Sequence, residues 1–121
     1  PGLIARGSYT FETGKQAGSV LLDQPDRPTA IFASNDVMAA GVVHVARERG
    51  LDVPGDLSVV GFDDTAIAAT IWPPLTTVRW PIRAMAQSAA RKLIHPETAG
   101  KEQSLFPTEF VPRASVSSPK N

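Results

Sequence analysis

Six polar or aromatic residues stand directly behind apolar, β-prone runs, and their types suit hydrogen bonding to a small ligand. Tyr9 follows the run 2–5, Asn35 and Asp36 follow 29–33, Asp63 and Asp64 follow 57–62, and Trp80 follows 76–79. A carboxylate accepts from two neighbouring hydroxyls, and an Asn side chain both donates and accepts. Aromatic faces cover the C–H face of a sugar or stack on a base. Hydrogen bonds to a charged group are worth about 1.5–3 kcal/mol each. Positive charge is scarce here, since only Arg6 and Arg79 lie close in sequence to these positions. The set therefore suits a small polyhydroxylated molecule. Each residue also has a plainer role open to it. Asp36 and Asp64 read as caps of the helices that follow, and Asn35 fits an N-cap as well as it fits a ligand. Asp63 is harder to absorb into a cap. Trp72, between Ile71 and Pro73, reads as packing, and His44 and His95 as surface residues.

The same residues make poor catalysts. Asp63 and Asp64 are adjacent, so on an extended segment their side chains point apart and cannot flank one glycosidic bond. Four hydrophobic residues before Asp63-Asp64-Thr65 are also similar to a ribose-phosphate-binding motif of phosphoribosyltransferases. That chemistry needs a loop of backbone N–H groups around the phosphate, and here Ala66-Ile67-Ala68-Ala69 follows without a glycine. There is no cysteine, which removes thiolate nucleophiles, disulfides and Cys-based zinc sites. No nucleophile–base pair and no His-Glu-x-x-His metal motif is present. The expectation is a non-enzyme with no catalytic residues, no metal and no cofactor.

The elements that must position these residues alternate. Residues 2–5 read as the end of a strand, with Thr10 as N-cap of a helix over 11–24 that Pro25-Asp26-Arg27-Pro28 ends. A strand at 29–33 leads into a helix over 36–49, stopped by Gly50. A strand at 57–62, a short piece from Ala66 to Ile71 and a strand at 76–79 follow. Pro81 suits the first position of a helix over 81–94, residues 105–111 read as extended, and 114–121 as a fraying Ser-rich tail. Strand–helix repetition predicts an α/β fold, an open parallel sheet with helices on both faces. Ligands of such sheets bind outside the carboxyl ends of the strands, which is where the polar set falls.

Composition limits the partners. The chain has 121 residues, enough for one modest domain, and 12 basic against 12 acidic residues give zero net charge. This balance provides no electrostatic footprint for DNA or for an anionic membrane. No apolar run approaches the roughly 18 residues of a membrane span. Absence of cysteine fits a cytoplasmic location. The chain opens at Pro1, so a fragment is expected.

The stretch "PTAIFASNDVMAAGVVHVARERGLDVPGDLSVVGFDD", the segment "PPLTTVR" and the ending "PTEFVPRASV" together resemble the LacI/GalR family of transcriptional regulators, from about Gly7 to about Val116. The resemblance implies the C-terminal part of an effector-binding domain with a periplasmic-binding-protein-like fold, whose two lobes close on a ligand. It implies that 1–79 and 111–116 belong to the C-terminal lobe, that 81–108 supplies elements of the N-terminal lobe, and that 117–121 is tail. Asp63 matches the family's ligand-binding carboxylate, Asn35 a ligand-binding amide and Tyr9 a stacking aromatic. Trp80 stands where a polar residue is common, a departure that trades a hydrogen bond for stacking area. Ala40 and Ile71 match dimer-face positions, where Ala39, Ala40 and Gly41 would permit close helix approach. The implied partners are a sugar or similar small effector, a second copy of the chain, and DNA only through a headpiece outside this sequence. A periplasmic sugar-binding protein of a transport system is the alternative, sharing fold and cleft.

Overall fold

The computed structural model describes residues 2–96 and 104–119. The elements run α1 (Phe11–Leu22), β1 (Ala30–Phe32), α2 (Asp36–Glu48), β2 (Ser58–Val60), α3 (Ala66–Thr70), β3 (Thr77–Arg79), α4 (Ile82–Ile94) and β4 (Glu109–Val111). Thr10 caps α1 as its sequence suggests. Its hydroxyl accepts from the Thr13 N–H at 3.2 Å, and the Thr13 hydroxyl accepts in turn from the Thr10 N–H at 3.3 Å. At the far end of α2, Gly50 takes φ +72°, the left-handed conformation a helix stop needs.

β1 and β2 pair in parallel, with Ile31 opposite Val59, and a parallel bridge from Val60 to Thr76 carries the sheet on toward β3. Buried Leu21, Ile31, Val42, Leu57, Val59 and Leu75 form the core between this sheet and the helices. α1 and α2 lie against each other through glycines. A Cβ at Gly14 would collide with the Met38 backbone, and one at Gly41 with the Phe11 carbonyl and the Lys15 amide. Of the small residues of α2, Gly41 faces α1 within the chain, and Ala39 is fully buried.

Several expectations need correction. Residues 2–5 form a turn at Gly2–Leu3 followed by coil, not a strand. Leu3 and Ile4 are 58% and 82% exposed, and of this segment Ala5 alone packs against the core, too little to draw a strand onto β1. Residues 104–108 are also coil; the strand is Glu109–Val111, and it pairs antiparallel with β3, Val78 opposite Phe110. The tail is held at Ser117, whose N–H donates to the Ser58 hydroxyl at 3.1 Å and whose hydroxyl donates to the Pro54 carbonyl at 3.1 Å. Residues 97–103 and 120–121, parts of the expected N-terminal-lobe stretch and tail, lie outside the described residues. α4 has no buried residue. Among the described residues no helix is long and apolar enough to cross a membrane.

Overpacking a close contact typically costs about 1–3 kcal/mol. Gly14→Ala and Gly41→Ala are each expected to lower the urea-unfolding free energy of the full-length protein by that amount. Gly2→Ala, with open space around it, is expected to change it by less than about 0.5 kcal/mol.

Candidate functional site

A relay of hydrogen bonds draws the strand-end loops together. The Asn35 amide N–H donates to the Tyr9 carbonyl at 3.2 Å. The Asp36 N–H donates to the Phe62 carbonyl and the Asp63 N–H to the Val78 carbonyl, each at 2.9 Å. Tyr9, Asn35, Asp63 and Trp80 are thereby carried on neighbouring loops at the carboxyl edge of the parallel strands. Tyr9 is 67% exposed. Asp63 and Trp80 are half-buried. The Trp80 indole lies against Phe62, ring centroids 6.4 Å apart.

Three residues of this edge have left-handed backbone: Tyr9 at φ +63°, Asp63 at +107° and Asp64 at +54°. Side chains rarely adopt such values, and they gather where surrounding contacts impose them, often at functional sites. The Asp63 carboxylate has no cation partner among the described residues, and the nearby Trp80 side chain favours its charged form. Burial pushes the Asp63 carboxyl above its ordinary value, the negative charge of Asp36 adds to this, and the Trp80 side chain opposes it. An aromatic beside an unpaired, partly desolvated carboxylate is a surface ready for hydroxyl donors.

The other two carboxylates hold the frame. Neither is a helix cap, contrary to the sequence expectation. The α2 cap is Asn35, whose Oδ1 accepts from the Met38 N–H at 2.8 Å. Asp36 is fully buried and accepts from the Thr65 N–H (2.7 Å), the Thr65 hydroxyl (3.0 Å) and the Thr77 hydroxyl (2.6 Å). Asp64 accepts from Arg113 and Arg79, and α3 begins at Thr65 without a side-chain cap. The Arg113 hydrogen bond holds the Asp64 carboxyl below its ordinary value; burial works against this and Arg79 reinforces it. Arg79, a candidate cation for an anionic ligand, is committed to Asp64 and Glu109. The sequence carried one signal for the Asp36 role: two threonines, Thr65 after the run 57–62 and Thr77 within the run 76–79.

A second feature lies on the helices. Ala40 and Ile71 line one concave surface of about 260 Å³ with Phe11, Val43, Ile67 and Trp72, and with the polar His44 and Arg47. Trp72 is 72% exposed, so it does not pack into the core as expected. The neighbouring His44 ring meets Phe11 edge-on at 5.5 Å and bonds Glu48 at 3.1 Å.

Residues 3–116 match the family described as periplasmic binding protein-like domain. The chain is 43% identical over 119 residues to the HTH-type transcriptional regulator MalR of Streptomyces coelicolor, covering 96% of this chain and 34% of that protein. A solved sugar-binding transcriptional regulator of the LacI family from Escherichia coli, complexed with phosphate, superposes with a TM-score of 0.85 at 36% identity, over 97% of this chain and 43% of that one. The chain belongs to the LacI family, as part of its periplasmic binding protein-like domain. A dimeric Lac repressor structure superposes with a TM-score of 0.86 at 34% identity, over 94% of this chain and 43% of that one. The LacI-family chain spans about a third of the length of the curated relatives it matches, 34% for MalR. These relatives are transcriptional regulators rather than transport proteins, which favours the regulator over the periplasmic alternative.

Asp63 and Asp64 should respond oppositely to pH. Asp63 has a raised folded-state value, so its ionisation weakens the fold, and Asp63→Asn is expected to be as stable as the native protein, or more so, at pH 7. Asp64 has a lowered value. Its contribution is present above the unfolded carboxylate value of about 3.9 and is lost as pH falls through Asp64's own lower value. Asp64→Asn is therefore expected to be less stable at pH 7, with the deficit closing below about pH 4. Urea melts across this range measure both; an Asp63→Asn variant clearly weakened at pH 7 would make Asp63 a structural anchor.

Proposed function

We propose that this chain is the effector-receiving and dimer-forming portion of a LacI-type transcriptional regulator, and that it takes an uncharged polyhydroxylated molecule, a sugar or a related polyol. The observation that carries the reading is the Asp63 carboxylate: unpaired by any cation, set in left-handed backbone and placed beside the Trp80 indole. Asp63 accepts ligand hydroxyls. Trp80 and Tyr9 offer aromatic faces. Asn35 has spent its oxygen on the α2 cap and one amide hydrogen on Tyr9; the second hydrogen remains for the ligand. The pairing of Arg79 with Asp64 and Glu109 favours a neutral ligand over a phosphorylated one.

In this reading residues 1–79 and 111–116 form one lobe, while α4 and 104–108 belong to a second lobe whose remainder lies outside this sequence. The exposed Ile82, Leu93 and Ile94 of α4 support this, since they need a covering surface. Closure on the ligand would shift the regulator between arrangements only by the difference in the ligand's affinity for them. DNA is read by a headpiece elsewhere in the protein, the protein works in the cytoplasm, and it performs no enzymatic step.

Thermal-shift screening of the full-length protein against sugars, sugar phosphates and nucleosides tests this reading. A ligand at a hundred times its Kd stabilises by about 2.7 kcal/mol. A shift from one neutral polyol class is expected, and Asp63→Ala is expected to weaken that ligand at least tenfold while remaining folded. A ligand shift untouched by Asp63→Ala removes Asp63 from the site.

The largely apolar concavity around Ala40 and Ile71, with Arg47 at its wall, is proposed as the dimer face, with Trp72 as its exposed anchor. A carboxylate in place of Ile71 removes apolar contact area from the core of such a face, where charge is depleted. Ile71→Glu is expected to move the full-length protein toward monomer in sedimentation velocity without loss of its melting transition. A dimer unaffected by Ile71→Glu would place the interface elsewhere.

A further inference from the structure

The ion pairs behind the site assign a role to Asp64. Its side chain is only 8% exposed, and both its oxygens are in use. Oδ1 accepts from Arg113 Nη2 at 2.6 Å. Oδ2 accepts from Arg79 Nε at 2.7 Å and lies 2.6 Å from Arg79 Nη2. The third Arg79 nitrogen, Nη1, donates to Glu109 Oε2 at 3.0 Å. Arg113 Nη1 donates to the Leu75 carbonyl at 2.9 Å. One carboxylate therefore fastens the loop after β2 to the end of β3 and to the stretch beyond β4.

Two details make this more than surface pairing. Asp63 and Asp64 both hold left-handed backbone, which persists in a residue with a side chain only where its surroundings impose it. Main-chain bonds hold the turn at its flanks, from the Asp63 N–H to the Val78 carbonyl and from the Thr65 N–H to Asp36. At Asp64 itself the N–H has one weak bond, 3.4 Å to the Thr77 hydroxyl, and the side-chain clamp supplies the rest. In addition, Arg79 immediately precedes Trp80. The bond that fixes Asp64 thus fixes both members of the Asp63–Trp80 pair.

We propose that Asp64 is a positioning residue for the ligand site, its bonds to Arg79 and Arg113 holding the left-handed turn that sets the Asp63 carboxylate against the Trp80 indole. Its functional meaning rests on the ligand-binding reading above, but its geometry does not. A planar fork is required at position 79, because three guanidinium nitrogens reach two carboxylates. A lysine has one nitrogen and cannot span them.

The test uses the full-length protein labelled with 5-fluorotryptophan and needs no ligand. The Trp80 resonance is identified by its absence from Trp80→Phe. Asp63 is flanked by the titratable groups Asp36 and Asp64 and by the charge of Arg79. The part of the resonance's pH dependence that belongs to Asp63 is therefore the part lost in Asp63→Asn. In the native protein the Trp80 resonance is expected to move as Asp63 titrates. In Asp64→Asn and in Arg79→Lys it is expected to shift to the position of a solvent-exposed indole and to lose that dependence, while circular dichroism keeps a cooperative melt. Arg79 is half exposed, so Arg79→Lys keeps the test open if Asp64→Asn does not fold. A native resonance position with native titration in the folded variants overturns the assignment. A failed ligand screen with the clamp-dependent titration intact would overturn the ligand reading alone.

Discussion

Asp36 places a carboxylate wholly out of solvent, and everything at the carboxyl edge of the sheet is arranged around it. A buried charge is tolerated only where donors meet its oxygens. Here the donors come from two other loops: the Thr65 N–H and hydroxyl, and the Thr77 hydroxyl. Gly61 is part of the same requirement, because a Cβ there would run into Asp36 Oδ1 and Leu75. Once Asp36 is satisfied, the start of α2, the loop after β2 and the start of β3 have fixed relative positions. The backbone bonds from Asp36 to Phe62 and from Asp63 to Val78 then complete a continuous edge.

Much of this was readable from the order of residues. The periodicity of 11–24 and 36–49, with Thr10 before one and Gly50 after the other, places α1 and α2 to within two residues of those observed. The apolar runs around Ile31 and Val59 place the parallel pair. Local patterns fail where structure is decided by distant partners. The apolar character of Leu3 and Ile4 suggests a strand, yet a strand is defined by its ladder, and none forms there. Residues 105–111 are extended in pattern, but only Glu109–Val111 finds β3. The roles of Asp36 and Asp64 could not be separated from helix capping, because the partners of their carboxylates lie 15 to 49 positions away in the chain. Asn35 shows the reverse case. Both of its readings describe the same side chain, since an amide has enough hydrogen-bonding capacity to cap a helix, brace Tyr9 and still present a donor.

The two-lobe reading proposed above accounts for the exposed apolar surface of α4. The domain matched by residues 3–116 occurs in relatives about three times as long. α4 presents Leu93 at 83% and Ile94 at 70% exposure. A helix of this length is marginal alone in water and gains its stability by burying an apolar face. The α1–α2 pair is different: it closes its own contact through Gly14, Gly18 and Gly41, and its stability is internal to the chain.

Asn35's brace on the Tyr9 carbonyl leaves Tyr9 67% exposed. The main chain of that loop is held by Asn35 at Tyr9 and by the Thr13 hydroxyl at Ser8 and Thr10, while no side-chain hydrogen bond or ring contact among the described residues holds the tip. Such an arrangement separates inheritance of shape from inheritance of taste. If Tyr9 meets the ligand as proposed, exchanging the tip residue for another that tolerates its left-handed backbone would change ligand preference while drawing little on the stability of the fold.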